Sequence, residues 1–125
     1  MAAFFKSNNG TLLGLLEGDG KNLTSNGEQL KELVPHDSSF EGVEKHVPVV
    51  ERKGNEVLVQ VGSTLHPMLP EHCIQWVYLL TDKGSQRKPL KPGEEPKVVF
   101  YVGKDEKIVE VLAYCNKHGL WKADL

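Results

Sequence analysis

The sequence lacks any apolar run approaching the about 18 residues that cross a bilayer. Stretches such as residues 47–50 are far shorter, so a membrane-spanning protein is excluded. No charge of one sign dominates: 15 Lys and Arg stand against 17 Asp and Glu, a formal charge of −2. Without a global basic field to hold a phosphate backbone, nucleic acid is not an expected partner. Cysteine is scarce, with Cys73 and Cys115 alone among 125 residues, too few for a disulfide-dense secreted scaffold. The N-terminus has no charged region followed by an apolar core and a cleavage site. Export is therefore not indicated, and a reducing cytoplasm is the expected location. There is no repeat, no low-complexity tract, and no glycine spacing of the dinucleotide or P-loop kind.

What is present fits one folded domain carrying a short extension, with 39% hydrophobic and 26% charged residues. The texture changes between Pro35 and Glu44. Before it, Gly10, Gly14, Gly18, Gly20 and Gly27 interrupt short apolar pieces, which suggests small strands joined by tight turns in a region too small to fold alone. After it, β-branched and aromatic runs predict strands over residues 47–51, 56–61, 74–81, 97–102 and 108–114, with a short one near 86–90. Alternation places Ile74, Trp76, Tyr78 and Leu80 on one face of their strand. Turn signals at Lys53-Gly54-Asn55, Lys83-Gly84-Ser85 and Lys91-Pro92-Gly93 separate the runs. The pattern predicts an all-β fold, an immunoglobulin-like antiparallel β-sandwich over residues 40–125 with a small β appendage over 1–39.

Four of the five histidines fall at predicted strand ends: His46, His66, His72 and His118. Strand ends are where side chains from different strands converge while a sandwich holds them rigid. Cys115 and His118 share one tight turn, a spacing that lets one loop offer two metal ligands. A lone histidine at a strand end is most often a solvated surface residue, but proline at both ends of the His66 to His72 loop stiffens a segment carrying two imidazoles. Structural zinc favours four tetrahedral ligands, commonly with two or more cysteines. Four imidazoles and one thiolate make five, leave an octahedral position open, and suit iron. A thiolate opposite that position would push electron density toward a bound group, as in cysteine-ligated haem. Such a site suits reduction of a small oxygen species.

Four segments, Glu44-Lys45-His46-Val47-Pro48-Val49, Gly62-Ser63 to His66-Pro67-Met68, Glu71-His72 to Trp76, and Cys115-Asn116-Lys117-His118-Gly119-Leu120-Trp121, closely resemble the superoxide reductases of the desulfoferrodoxin and neelaredoxin group. The resemblance covers about residues 40–125. It implies an iron centre with His46, His66, His72 and His118 equatorial and Cys115 axial. It also implies a loop over the iron bearing Glu44, which would fill the open position in the ferric state, and Lys45, which would attract the anionic substrate. The N-terminal region resembles the small desulforedoxin-like domain of the same family. Lys6, Asn9, Ser25 and Asn26 stand where its four cysteines would be, so this domain is expected to lack its metal and the chain to hold one iron.

The resulting expectation is one-electron reduction of superoxide to hydrogen peroxide, with an external electron donor, for which the resemblance suggests rubredoxin, and a homodimer. The alternative is a non-enzymatic immunoglobulin-like module whose site holds zinc or no metal. A superoxide dismutase would differ in needing no reductant. Among the other prominent residues, Cys73 is expected as a buried free thiol and Trp76 as core. Trp121 is expected to pack over the ligand loop, Met68 to pack rather than coordinate, and His36 to be a solvated linker residue.

Overall fold

Runs of alternating β-branched residues bounded by Gly, Pro and Asn become strands in the computed structural model, which describes residues 2–37 and 42–125, the side chain of Val43 excepted. In chain order the strands are β1 (Phe4–Lys6), β2 (Leu12–Gly14), β3 (Thr24–Ser25), β4 (Glu28–Gln29) and β5 (Lys31–Glu32). After a short helix α1 (Val43–His46) come β6 (Pro48–Lys53), β7 (Glu56–Val61), β8 (Ile74–Thr81), β9 (Gly84–Pro89), β10 (Lys97–Tyr101), β11 (Ile108–Cys115) and β12 (Gly119–Lys122). The chain divides into two compact units, Met1–Val34 and Pro35–Leu125. The boundary expected at residues 39 and 40 lies outside the described residues.

In the first unit β2, β1 and β5 form one small antiparallel sheet and β3 pairs with β4. Asn26 and Gly27 join β3 to β4 with φ of 52° and 79°, the pair of positive angles that a tight two-residue hairpin turn needs. The Ser7 hydroxyl donates to Asn9 Oδ1, and Thr11 N–H donates to Ser7 Oγ at 3.0 Å. These bonds close the turn after β1.

The second unit is a sandwich of two antiparallel sheets, ordered β10-β7-β6 and β12-β11-β8-β9. Its core lies between them, with Val57, Val59 and Val61 of β7 and Val98 and Phe100 of β10 facing Ile74, Val77 and Leu79 of β8 and Val111, Ala113 and Cys115 of β11. The fold class is as the sequence predicts, an immunoglobulin-like β-sandwich.

Three local features depart from the sequence reading. The β8–β11 register shifts between Tyr114, opposite Trp76, and Cys115, opposite Ile74. This bulge at Gln75 reverses the alternation, so Ile74 faces the core with Val77 and Leu79 rather than sharing a face with Trp76. Trp76 is buried by stacking on Tyr114, ring centroids 5.5 Å apart. Second, residues 119–122 form the edge strand β12, paired with β11 from Leu112↔Lys122 to Cys115↔Gly119. Third, His36 is not a solvated linker residue. Its N–H donates to Leu120 O and its carbonyl accepts from Lys122 N–H, both at 2.8 Å, so it extends the sheet in parallel beside Trp121.

Leu79 is fully buried in this core. Leu79→Ala is expected to cost about 2–5 kcal/mol, read as a lower urea midpoint with an unchanged slope; a loss within about 0.5 kcal/mol would place Leu79 outside the core.

Candidate metal centre

Antiparallel pairing brings the five candidate ligands to one end of the sandwich. Pro48 lies opposite Val61, which puts His46, just before β6, beside the chain leaving β7 toward His66. Cys115 lies opposite both Ile74 and Gly119, which puts His72, just before β8, beside the turn that carries His118. One donor atom from each of His46, His66, His72, Cys115 and His118 lies within 4.8 Å of every other.

The four imidazoles form a closed ring. Centroids are 4.8 Å apart for His46 and His66, 4.7 Å for His66 and His72, 5.0 Å for His72 and His118, and 4.8 Å for His118 and His46. Each ring stands at 69–81° to the next. Hydrogen bonds select the inward nitrogens. His46 Nδ1–H donates to Gly42 O at 2.9 Å and His66 Nδ1–H to Pro67 O at 2.6 Å, which leaves the Nε2 lone pair of each neutral ring for the cluster. Nε2 of His46 is 3.1 Å from Nδ1 of His118, and Cys115 Sγ is 3.8 Å from that same Nδ1. Nε2 of His66 and of His72 are buried without a hydrogen-bond partner.

Burial keeps His46, His66 and His72 neutral. Desolvation, and then the neighbouring imidazoles, lower the pKa of His66 from 6.5 to about 4, against the pull of its bond to Pro67 O. Desolvation also lowers those of His46 and His72. It pushes the Cys115 thiol above its ordinary 9.0, against hydrogen bonds from the backbone N–H groups of His118 and Lys117.

These residues fit a metal ion. Two nitrogens each about 2.1 Å from one ion and at right angles stand about 3.0 Å apart, close to the 3.1 Å between His46 and His118. Partnerless buried nitrogens are rare where no ligand is intended, and here two of them belong to the cluster. Four imidazoles and one thiolate could hold one iron and leave a coordination position for another group.

The sequence matches the desulfoferrodoxin family over residues 38–124. The chain belongs to that family. It is 44% identical over 114 residues to a desulfoferrodoxin homolog of Archaeoglobus fulgidus, covering 91% of this chain and 89% of the relative. It is 37% identical over 125 residues to the desulfoferrodoxin of Clostridium acetobutylicum, covering 100% and 97%. Its fold matches the crystal structure of the superoxide reductase from Treponema pallidum with a TM-score of 0.83 at 34% identity, covering 99% of this chain and 98% of that one.

Within this desulfoferrodoxin-family site, Glu44 and Lys45 are exposed on α1, directly before His46. Both are near enough for their charges to act on the cluster, Glu44 on His46 and Lys45 on His72. The turn after β7 holds α1 in place. Thr64 N–H donates to Glu44 O at 2.8 Å and Ser63 Oγ to the same oxygen at 3.2 Å. Gly62, at φ 85°, lies so close that a Cβ there would sit 2.6 Å from Lys45 O and 2.3 Å from Thr64 O, so no side chain fits.

Trp121 stacks on His46, centroids 4.6 Å apart and planes at 19°, and its Nε1–H donates to His118 O at 3.0 Å, so it packs on the ligand loop as expected. Met68 packs against the core and its sulfur accepts from Ile74 N–H at 3.4 Å. Cys73 is a buried free thiol. Sequence reasoning gave Asn116 no role beyond spacing Cys115 from His118, although its side chain bonds across to residues 71 and 73. A polar residue between two ligands on a tight turn was the available signal.

Because burial holds a proton on Cys115 while it keeps His46, His66 and His72 neutral, loading at about pH 8 is expected to release about one proton per ion from the thiol. Calorimetry in buffers of different ionisation enthalpy reads this count, and Cys115→Ser should lower it by about one. An equal count in parent and variant would remove Cys115 from the ligand set.

Proposed function

We propose that the chain is a non-haem iron superoxide reductase. The observation that carries this reading is the closed ring of four imidazoles with a buried thiol at its side, and relatives named superoxide reductase support it. His46, His66, His72, His118 and Cys115 would hold the metal. The electron that converts superoxide and two protons to hydrogen peroxide would come from iron held there. The Cys115 thiolate would raise the basicity of the reduced oxygen species and favour its protonation and release, with the Lys117 and His118 N–H groups moderating the sulfur's charge.

Lys45 would draw the anion to the exposed side of the site and stabilise negative charge developing on it. Glu44 would close that side in the oxidised resting state and withdraw for substrate. The clamp of residues 62–64 on the α1 backbone would keep both side chains near the site.

The first unit would be a desulforedoxin-like domain without metal. Lys6, Asn9, Ser25 and Asn26 offer no thiolate, and hydrogen bonds among Ser7, Asn9 and Thr11 close the turn where a metal would otherwise cross-link it. Electrons would then come from an external carrier such as rubredoxin. The protein would act as a homodimer in the cytoplasm, a setting consistent with two unpaired cysteines.

Metal analysis with a visible spectrum is the first test. About one iron per chain is expected, with a band that appears on oxidation and bleaches on reduction, and superoxide consumption matched by oxidation of an added reductant. Persistent zinc, or failure to take up ferrous iron anaerobically, would favour the binding module; oxygen evolution without a reductant would mean dismutation. Lys45→Ala is expected to slow the reaction with superoxide about tenfold at low salt and to flatten its ionic-strength dependence. An unchanged rate and salt slope would rule out steering by Lys45.

A further inference from the structure

The β8–β11 ladder ends where Cys115 faces Ile74, and beyond it one backbone bond is joined by two from a side chain. Asn116 N–H donates to Cys73 O at 3.2 Å. Its Oδ1 accepts from Cys73 N–H at 3.0 Å, and its Nδ2 donates to Glu71 O at 3.1 Å. All three bonds cross between two ligand-bearing segments, one holding His72 between Glu71 and Cys73, the other holding Cys115 and His118 on either side of Asn116 and Lys117. The carboxamide acts as an extra peptide group, one acceptor and one donor, at the point where the turn of residues 116–118 leaves the sheet.

We propose that Asn116 is a positioning residue that fixes the separation of His72 from Cys115 and His118, and holds in place the turn that carries His118 beside the Cys115 sulfur. Both polar ends of its side chain are engaged by backbone, so it does not itself serve as a ligand. Asparagine is suited to the position. Aspartate keeps the acceptor for Cys73 N–H but has no donor for Glu71 O, and alanine supplies neither. Cys73 is 4% exposed, so an abandoned N–H there has little access to water as a substitute.

The consequence for iron rests on the superoxide reductase reading, whereas the clamp itself can be read without iron. The full chain is loaded with zinc and compared as parent, Asn116→Ala and Asn116→Asp. Asn116→Ala is expected to release zinc to a chelator about 10- to 100-fold faster and to exchange the Cys73 amide hydrogen about fivefold faster or more. Asn116→Asp should keep near-parental exchange at Cys73 and release zinc at an intermediate rate. In iron-loaded protein the sulfur-to-iron absorption should move to longer wavelength in Asn116→Ala, a change that loss of global stability alone would not produce.

Parental zinc release, Cys73 exchange and absorption in folded Asn116→Ala would overturn the proposal. Should that variant not fold, Asn116→Asp decides, because parental zinc release from it would mean that the Glu71 bond positions nothing. A chain that releases zinc as expected but does not reduce superoxide would defeat the reductase reading and leave the clamp standing; the reverse result would defeat the clamp alone.

Discussion

Imidazole nitrogens that converge on one point, two of them buried with no hydrogen-bond partner, are the constraint on which this site depends. His46 and His66 each spend Nδ1–H on a neighbouring carbonyl, so neither ring can turn a second proton toward the centre while neutral. Nε2 of His66 and His72 find no partner, and burial opposes the imidazolium form that would supply donors. A cation satisfies all of these atoms at once. The arrangement would be an open cost without a cation, and it suits a metal ion.

The sandwich makes that arrangement rigid by placing it where strands begin and end. Cys115 belongs at once to the core cluster and to the donor set. Its side chain points inward with Val111 and Ala113, and the sulfur reaches the four imidazoles because β11 stops there. The bulge at Gln75 serves the same end. Without it Ile74 would turn away from the core, and the strand that follows His72 would meet β11 in the opposite phase. Cys115 therefore inherits the stiffness of a packed interior, whereas Glu44 and Lys45 are exposed residues of the four-residue α1, held through its backbone by the 62–64 turn.

The strands and the residues that converge at the site were legible because their signals are local: alternation for β7, histidines flanking a proline-rich loop for residues 66–72, and close spacing for Cys115 and His118. What escaped was set by distant contacts. β12 is four residues long and reads as a continuation of the ligand turn until β11 supplies its partner. His36 looks like linker because its neighbours are polar and proline-bound, yet residues 120 and 122 capture its backbone. The phase of Ile74 depends on a bulge that the pattern of residue types does not mark. Asn116 is a turn former in any sequence, and only the chain folded opposite it converts a turn residue into a cross-strand clamp. The inward nitrogens were beyond reach for another reason: Gly42 O and Pro67 O, which select them, are near in sequence but are aimed by the backbone conformation.

Burial acts in opposite senses on the two kinds of ligand. For His66 the folded pKa of about 4 lies below its ordinary 6.5, so between those values the unfolded chain binds more protons and the metal-free fold loses stability as pH falls. Above that window no proton on His66 competes with a metal. For Cys115 the shift is upward, so at neutral pH a metal must displace the thiol proton. The backbone N–H groups of Lys117 and His118 partly offset this by stabilising the thiolate. The 115–118 turn thus bears on two properties at once: how readily the sulfur gives up its proton to a metal, and how much charge it then passes on. Burial keeps His46, His66 and His72 neutral, but the sulfur needs a turn of defined geometry, and that geometry is where the fold and the proposed chemistry meet.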